Sequence, residues 1–450
     1  MVQAPPVTSR QLAPSAPRPA EDVLARAQAL LRIDTTNSGD DDGPGERTAA
    51  ELAAGALSDA GLDPVLLESA PRRANVVTRW DGLDRTRPPL LVHGHLDVVP
   101  ATADDWTFPP FAGEVVDDVL WGRGAIDMKH FVAQLLAVVA RRRREGRPPA
   151  RDVVLVFTAD EEHTGERGAL WLTREHREVF EGVVDAVGEG GGFSTSLPNG
   201  RRLYDMCTGE KGMLWTRVTA HGRAGHGSMI NQVNAVTRLA EAVARVGSHT
   251  FEQQLTPTVR AMLMVLADEL GVGVDEALAD PDALVAPLGT MADSLRATFR
   301  HMLNPTMLDA GYKSNVIPGD ATGVLDGRFL PGGEQEFLAV LDELLGEHLT
   351  RETIWFDPAF EGPLVGPVPE AIAASLAEVD PHGRVMPSLD TGGTDAKSFV
   401  QLGINSYGWT PLRMPADLNS SELFHGVDER VPAEALRFGV EALDRLFDLV

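Results

Sequence analysis

From Glu21 to about Val187 the chain alternates between two apolar rhythms, and that alternation restricts the fold more than any other feature. Residues 21–31 place Val23, Leu24, Ala27, Leu30 and Leu31 at helical spacing, and residues 46–60 form a second helical stretch ended by Gly61. Short apolar runs follow at 74–78 and 90–92. A helical stretch at 131–140, a run at 153–158, a helix at 168–180 and a run at 183–187 continue the pattern. Strands separated by helices predict an α/β domain around a mostly parallel central sheet. Such sheets bind ligands beyond the carboxyl ends of their strands.

Residues 188–203 are rich in Gly, Ser, Pro and Asn and mark a boundary. Strands at 213–220, 321–329 and 353–356 and helices at 234–246 and 337–349 then predict a small α+β sheet domain. A mainly helical insertion occupies about 250–310. From about 360 the first pattern resumes, with helices at 369–378 and 432–448 and a strand at 404–408. The predicted organisation is a disordered Pro-rich tail over 1–20, an α/β domain in two parts, 21–206 and 360–450, and a smaller domain over 207–359 that interrupts it.

Composition excludes several function classes. The 450 residues carry 66 acids against 40 bases, a net charge of -26. No basic face for a nucleic acid or an anionic membrane is expected. The run Arg141 to Arg144 reads as a solvated helix end favoured by the helix dipole. No apolar run reaches the ~18 residues of a membrane span. The single cysteine, Cys207, fits a reducing compartment, and the cytoplasm is the expected location.

Acids and imidazoles recur where predicted elements give way to loops: His95-Leu-Asp97, Asp127, Glu161-Glu162, Glu189 and His425. Residues so far apart need a folded scaffold to converge. Together they would build a carboxylate-bridged pair of metal ions, which points to a hydrolase. Asp97, two residues from His95, could orient that imidazole; His93 is read as structural. Asp127 reads either as a helix N-cap or as a bridging carboxylate, with Gly122 and Gly124 allowing close backbone approach. Of the adjacent pair Glu161-Glu162, one carboxylate would ligate and its neighbour would accept a proton. There is no phosphate-binding GxxxxGK[ST] loop, no HExxH helix and no Gly-x-Ser-x-Gly elbow.

From residue 21 to 450 the chain resembles the co-catalytic zinc peptidases and deacylases, the family that includes aminoacylase, carboxypeptidase G, acetylornithine deacetylase and succinyl-diaminopimelate desuccinylase. The resemblance rests on His95-Leu-Asp-Val-Val-Pro100, Gly122-Arg-Gly-Ala-Ile-Asp-Met-Lys129, Asp160-Glu-Glu162, Gly225-His-Gly-Ser228, Ser314-Asn-Val-Ile-Pro318, Asp326-Gly-Arg328, Gly392-Gly-Thr-Asp395 and His425-Gly426. It implies two Zn2+ per subunit, with Co2+ or Mn2+ as substitutes. His95 and Glu189 would hold one ion, Glu162 and His425 the other, and Asp127 would bridge them. Asp97 would support His95, and Glu161 would be the general base. His226, on the inserted lid, would stabilise the oxyanion. Asn315, Arg328 and Thr394 would contact substrate, although Arg328 also reads as an ordinary strand-end ion pair. The family often carries Arg where this chain has Lys397. The implied activity is amide cleavage in N-acyl amino acids or dipeptides by metal-activated water, in a homodimer built through the lid. The alternatives are a dedicated biosynthetic deacylase and an inactive binding protein of the same fold.

Overall fold

The computed structural model describes residues 19–450 apart from positions 41, 198 and 290, together with the side chains from 23 onward. Of the expected tail, residues 1–18 lie outside the described residues. Helix α1 (Pro19–Leu31) already begins at Pro19. Helix α2 (Arg47–Asp59), strands β1 (Val65–Ala70), β2 (Arg73–Trp80) and β3 (Leu90–His95), helix α3 (Lys129–Glu145), strand β4 (Val153–Thr158), helix α4 (Ala169–Glu175) and strand β5 (Asp185–Gly188) follow. Strand β6 (Arg202–Glu210) leads through Lys211 into β7 (Gly212–His221). Then come α5 (Ala235–Ser248), α6 (Pro257–Leu270), α7 (Met291–Thr298), β8 (Met302–Ala310), β9 (Asp320–Phe329), α8 (Glu334–Leu345) and β10 (Leu349–Asp357). The chain closes with α9 (Pro367–Val379), β11 (Gly383–Asp390), β12 (Asn405–Gly408) and α10 (Ala433–Leu449).

The large sheet runs β1-β2-β4-β3-β5-β12-β6, with β11 alongside β6. Its centre is parallel: β3 pairs with β4 from Leu90↔Val153 to His95↔Thr158, and β12 pairs with β5 from Asn405↔Asp185 to Gly408↔Gly188. Helices cover both faces. Phe131 and Leu135 of α3 and Leu436 and Leu443 of α10 fill one; Leu172, Phe180 and Phe399 fill the other. Every residue of β3 and β4 is buried, which is why these strands read as continuous apolar runs. The mixed α/β architecture with a mostly parallel sheet is the expected one.

A second sheet has the order β8-β9-β7-β10. Its β9 alternates buried and part-exposed positions, and Leu239 of α5 and Phe337 and Leu341 of α8 pack on its inner side. The segment 250–310 is helical to Thr298, and its end is strand β8. Its helices do not cover the second sheet. Met262, Leu263 and Leu295 pack instead with Leu203, Met386 and Leu389 of the large sheet. Strand β6 stays in the large sheet to Glu210, past the expected boundary at 206. The crossing is at Lys211, buried with its Nζ donating to the Arg300 carbonyl at 2.5 Å. One sequence reading needs correction: Arg142 is not solvated. It is buried at the end of α3, donating to Asp444, Asp448 and the Pro148 carbonyl, because α10 brings acids directly against it.

Candidate metal centre

Five separate segments bring the predicted ligands together. His95 ends β3 fully buried. Its Nδ1 lies 3.0 Å from the Asp97 carbonyl oxygen and 3.5 Å from the Asp97 carboxylate. A proton on Nδ1 donated to that carbonyl leaves Nε2 free to face the cluster. The Asp97 carboxylate works mainly elsewhere: it accepts from Asn37 at 2.9 Å and from the amides of Glu161 and Glu162 at 3.2 and 3.1 Å. It thus fixes the turn that carries both glutamates. His93 packs its buried ring 4.7 Å from that of Phe399.

Asp127 precedes α3 and caps nothing; the N-cap residue is Met128. Its Oδ1 lies 3.0 Å from His95 Nε2 and its Oδ2 3.2 Å from His425 Nε2. His425 also meets Glu162 at 3.0 Å, and Glu189 Oε1 stands 3.6 Å from His95. Two three-residue groups result, His95–Asp127–Glu189 and Asp127–Glu162–His425, each with its potential ligand atoms within 4.8 Å of one another and with Asp127 in both. Glu161 lies beside them, 3.9 Å from His95 Nε2.

Local backbone explains the convergence. Gly122 has φ +154°, and a Cβ there would sit 2.7 Å from Leu31 and 2.9 Å from the Pro110 carbonyl, so the loop to Asp127 tolerates glycine alone. His425 has φ +56°, a conformation that L-residues adopt sparingly and that clusters at functional sites.

The residues fit divalent cations. Burial pushes the Glu161 and Glu189 carboxyls well up, reinforced by the charges of Glu189 and Asp127 respectively, and raises Glu162 to about 7, reinforced by Asp127. Hydrogen bonds to Asp127 and Glu162 hold His425 up at about 10. The carboxylates thus outnumber the cations available to balance them. Glu162 Oε1 and Glu189 Oε2 are buried without a hydrogen-bond partner. Bare buried carboxylate oxygens are costly, and a cation would satisfy them. Imidazole nitrogen with carboxylate oxygen suits zinc, cobalt or manganese.

The lid residues are placed differently. His226 and Asn315 share an exposed two-stranded ribbon, 225–226 against 316–317, where Gly227 N–H donates to the Asn315 carbonyl at 2.9 Å. Neither lines the cavities beside the cluster. Arg328 is held bidentately by Asp326 at 2.7 and 3.0 Å, the ion pair its position in β9 suggested. Thr394 donates its hydroxyl to buried Glu210 at 2.6 Å. Thr394 and Lys397 line a cavity of about 60 Å³ that Glu161 also reaches.

Sequence reading missed the supports. Glu429, fully buried, accepts from Arg123 at 2.8 Å and from the amides of Gly124, Ile126 and Asp127 at 2.9, 2.6 and 2.9 Å. Asp160 accepts from Asn37, Arg73 and the Arg167 amide, at 3.0, 2.8 and 3.0 Å. Asp160 is the first residue of the Asp160-Glu-Glu162 run, whereas nothing local marks Asn37 or Glu429.

The chain is similar to known proteins. The family described as Peptidase family M20/M25/M40 matches residues 91–448. The probable carboxypeptidase S-like 2 of Dictyostelium discoideum is 26% identical over 376 residues, covering 79% of this chain and 70% of that protein. The N-fatty-acyl-amino acid synthase/hydrolase PM20D1 of Xenopus tropicalis is 26% identical over 375 residues, covering 80% and 72%. The crystal structure of the M20 metallo-carboxypeptidase Sso-CP2 from Sulfolobus solfataricus shares the fold, with a TM-score of 0.71 at 16% identity over 95% of this chain and 99% of that one. The chain therefore belongs to peptidase family M20/M25/M40 and is a hydrolase of amide or peptide bonds.

Proposed function

We propose that the protein is a dinuclear zinc-dependent amidohydrolase that cleaves the amide of N-acyl amino acids or dipeptides beside a free carboxylate. One observation carries the reading: Asp127 is shared by two three-residue groups, and a further carboxylate, Glu161, stands free beside both. His95, Asp127 and Glu189 would hold one ion, and Asp127, Glu162 and His425 the other. Bound metal would supply Lewis acidity and water ready to react at neutral pH.

The remaining chemistry falls to the chain. Glu161 accepts the proton of the attacking water at a carboxylate oxygen. Its raised affinity for protons, from burial and from the charge of Glu189, suits it to hold that proton and deliver it to the leaving amine. Asp97 keeps His95 and the Glu161-Glu162 turn in place. His226 and Asn315 would close over the substrate from the lid, with His226 donating to the developing oxyanion. Arg328 and Thr394 would contact the substrate carboxylate, Arg328 by exchanging Asp326 for it. The crossings at Lys211 and at about 360 would be the hinge for that closure. Exposed Met307, Leu308 and Tyr312 at the β8 edge support a homodimer through the lid. Buried, unpaired Cys207 suits a cytoplasmic setting, and no helix among the described residues is long and apolar enough to cross a membrane.

The test is elemental analysis of reconstituted protein, followed by a screen of zinc- and cobalt-loaded enzyme against acyl amino acids and dipeptides. Two metals per chain and turnover are expected. Absence of bound metal would sink the site, and turnover of neither substrate class would sink the assignment.

A further inference from the structure

A cavity of about 280 Å³ opens beside Glu189, between the large sheet and helices α6 and α7. Its wall has two kinds of surface. Met262, Leu266 and Leu295 of the helices form an apolar side. On the sheet side, alternate residues of two paired strands face the space: Leu203 and Asp205 of β6, and Met386, Ser388 and Asp390 of β11. The two acids are unequally balanced. Asp390 lies within the fields of Lys397 and Arg328. Asp205 accepts the Phe193 amide at 3.1 Å and, among the described residues, forms no ion pair. Burial and the charge of Asp390 raise its carboxyl to about 7. A buried carboxylate without a counter-charge is costly, and no Lys or Arg among the described residues lines the cavity. His130, 1% exposed, lines the same space, and neither of its ring nitrogens has a hydrogen-bond partner.

The two sides of a scissile amide meet opposite fields. Glu161 reaches a separate cavity of about 60 Å³ with Thr394 and Lys397. The leaving amine must lie against Glu161 to receive its proton, so the amino-acid portion extends to that side and the acyl portion toward Glu189. Lys397 is buried there with its Nζ unpartnered, and like charge repels a second cation from that side. A cation carried by the acyl portion meets Asp205 instead. An amine on an unbranched methylene stem matches both surfaces of the larger cavity: the stem lies along methionine and leucine, and the ammonium donates to the carboxylate. The opposite charge in turn keeps the Asp205 carboxyl ionised. An ammonium has three donors, and His130 offers a further acceptor on the same wall.

We infer that the cavity beside Glu189 is a specificity subsite for a basic side chain, an amine at the end of a methylene stem, on the acyl residue of the cleaved amide, with Asp205 as the acid that receives it. The inference rests on the amidohydrolase reading above.

Matched substrates test it with metal-loaded enzyme: lysyl-alanine against norleucyl-alanine, 6-aminohexanoyl-alanine against heptanoyl-alanine, and alanyl-lysine against alanyl-norleucine. Both members of each dipeptide pair carry the same terminal amine, so each comparison isolates the side-chain charge. We expect kcat/KM to favour the amine at least ~10-fold in the first two pairs, as for a charged hydrogen bond, and not in the third. Asp205→Asn keeps an acceptor for the Phe193 amide and removes the charge; it should lower the lysyl-to-norleucyl ratio at least ~10-fold. Ser388→Lys, which brings a resident cation to the same wall, should lower that ratio as well and serves if the first variant does not fold. Calorimetry of n-pentylamine and n-pentanol on metal-loaded Glu161→Gln protein reads the subsite without turnover. Amine affinity that Asp205→Asn abolishes, with no hydrolysis of any substrate by the parent enzyme, would uphold the subsite and overturn the hydrolase reading. Hydrolysis that ignores the amine, or a preference that survives Asp205→Asn, would overturn the subsite and leave the hydrolase standing.

Discussion

Glu429 secures Asp127 with both carboxylate oxygens, one shared by Arg123 and the Gly124 amide, the other by the amides of Ile126 and Asp127. Glu429→Gln leaves Arg123 buried without its counter-charge. A broken buried pair costs about 3–5 kcal/mol, and loss of such a support weakens metal binding about 10- to 100-fold. Thermal unfolding and a competitive metal titration would register both; an unchanged titration would mean that the loop holds Asp127 without help. Glu161→Gln should instead keep both metals and lose at least ~100-fold in rate, since an amide cannot take a proton at neutral pH. Normal turnover with unchanged metal content would remove Glu161 as the base. His425 gives a pH prediction. Without metal its hydrogen bonds to Asp127 and Glu162 hold it protonated up to about 10, above the ordinary 6.5. That pairing stabilises the metal-free fold fully below pH 6.5 and is lost as pH rises through about 10. A protonated imidazole cannot ligate, so metal affinity should climb with pH over the same window, and loading near pH 7 should release protons into a weak buffer. His95, Glu161, Glu162 and Glu189 were legible because they end or closely follow recognisable strands, and Asp127 because it precedes a helix; His425 ends no such element and was found through the resemblance. Glu429 was not, because its role depends on amides up to 305 positions away.

Strands β6 and β11 escaped the sequence reading for a physical reason. Cys207-Thr-Gly209 breaks the apolar rhythm of β6, and Pro387 interrupts that of β11. Their pairing is fixed from outside, by Asp380 at the end of α9. Buried Asp380 accepts from Arg202 at 2.6 and 2.5 Å and from the Tyr204 hydroxyl at 2.8 Å. Burial disfavours its charge, yet these partners hold the carboxyl down at about 2, against an ordinary 3.8. The stabilisation is therefore present above pH 3.8 and disappears as pH falls through about 2. Asp380→Asn should cost about 2 kcal/mol at neutral pH. Denaturant unfolding of the two proteins should converge as the pH drops from 4 toward 2. A gap that stays constant across that range would show that packing, and not charge, is what Asp380 supplies.

At the scale of the whole molecule, the interrupted α/β plan was readable because β3, β4 and β5 are buried on both faces and read as apolar runs. The seating of α6 and α7 on the large sheet was not readable, since an amphipathic helix records that it has a buried side and not which neighbour covers it. The lid supplies the last test. His226→Ala should depress kcat about 100-fold, as for loss of an oxyanion donor. If a partner subunit supplies His226, mixing this variant with Glu161→Gln should restore activity once subunit exchange is demonstrated with tagged chains. Exchange without recovery would assign His226 to its own subunit, and full activity of His226→Ala would remove it from the reaction. β12 lies between β5 and β6, so β6 has no neighbour on that side until residues 405–408 arrive. His95, Asp127 and Glu189 are all synthesised before β6, whereas the second group waits for His425. The nascent chain therefore carries all three residues of the first group early, but Asp127 gains its Glu429 support, and the second group its His425, only in the last stretch of translation.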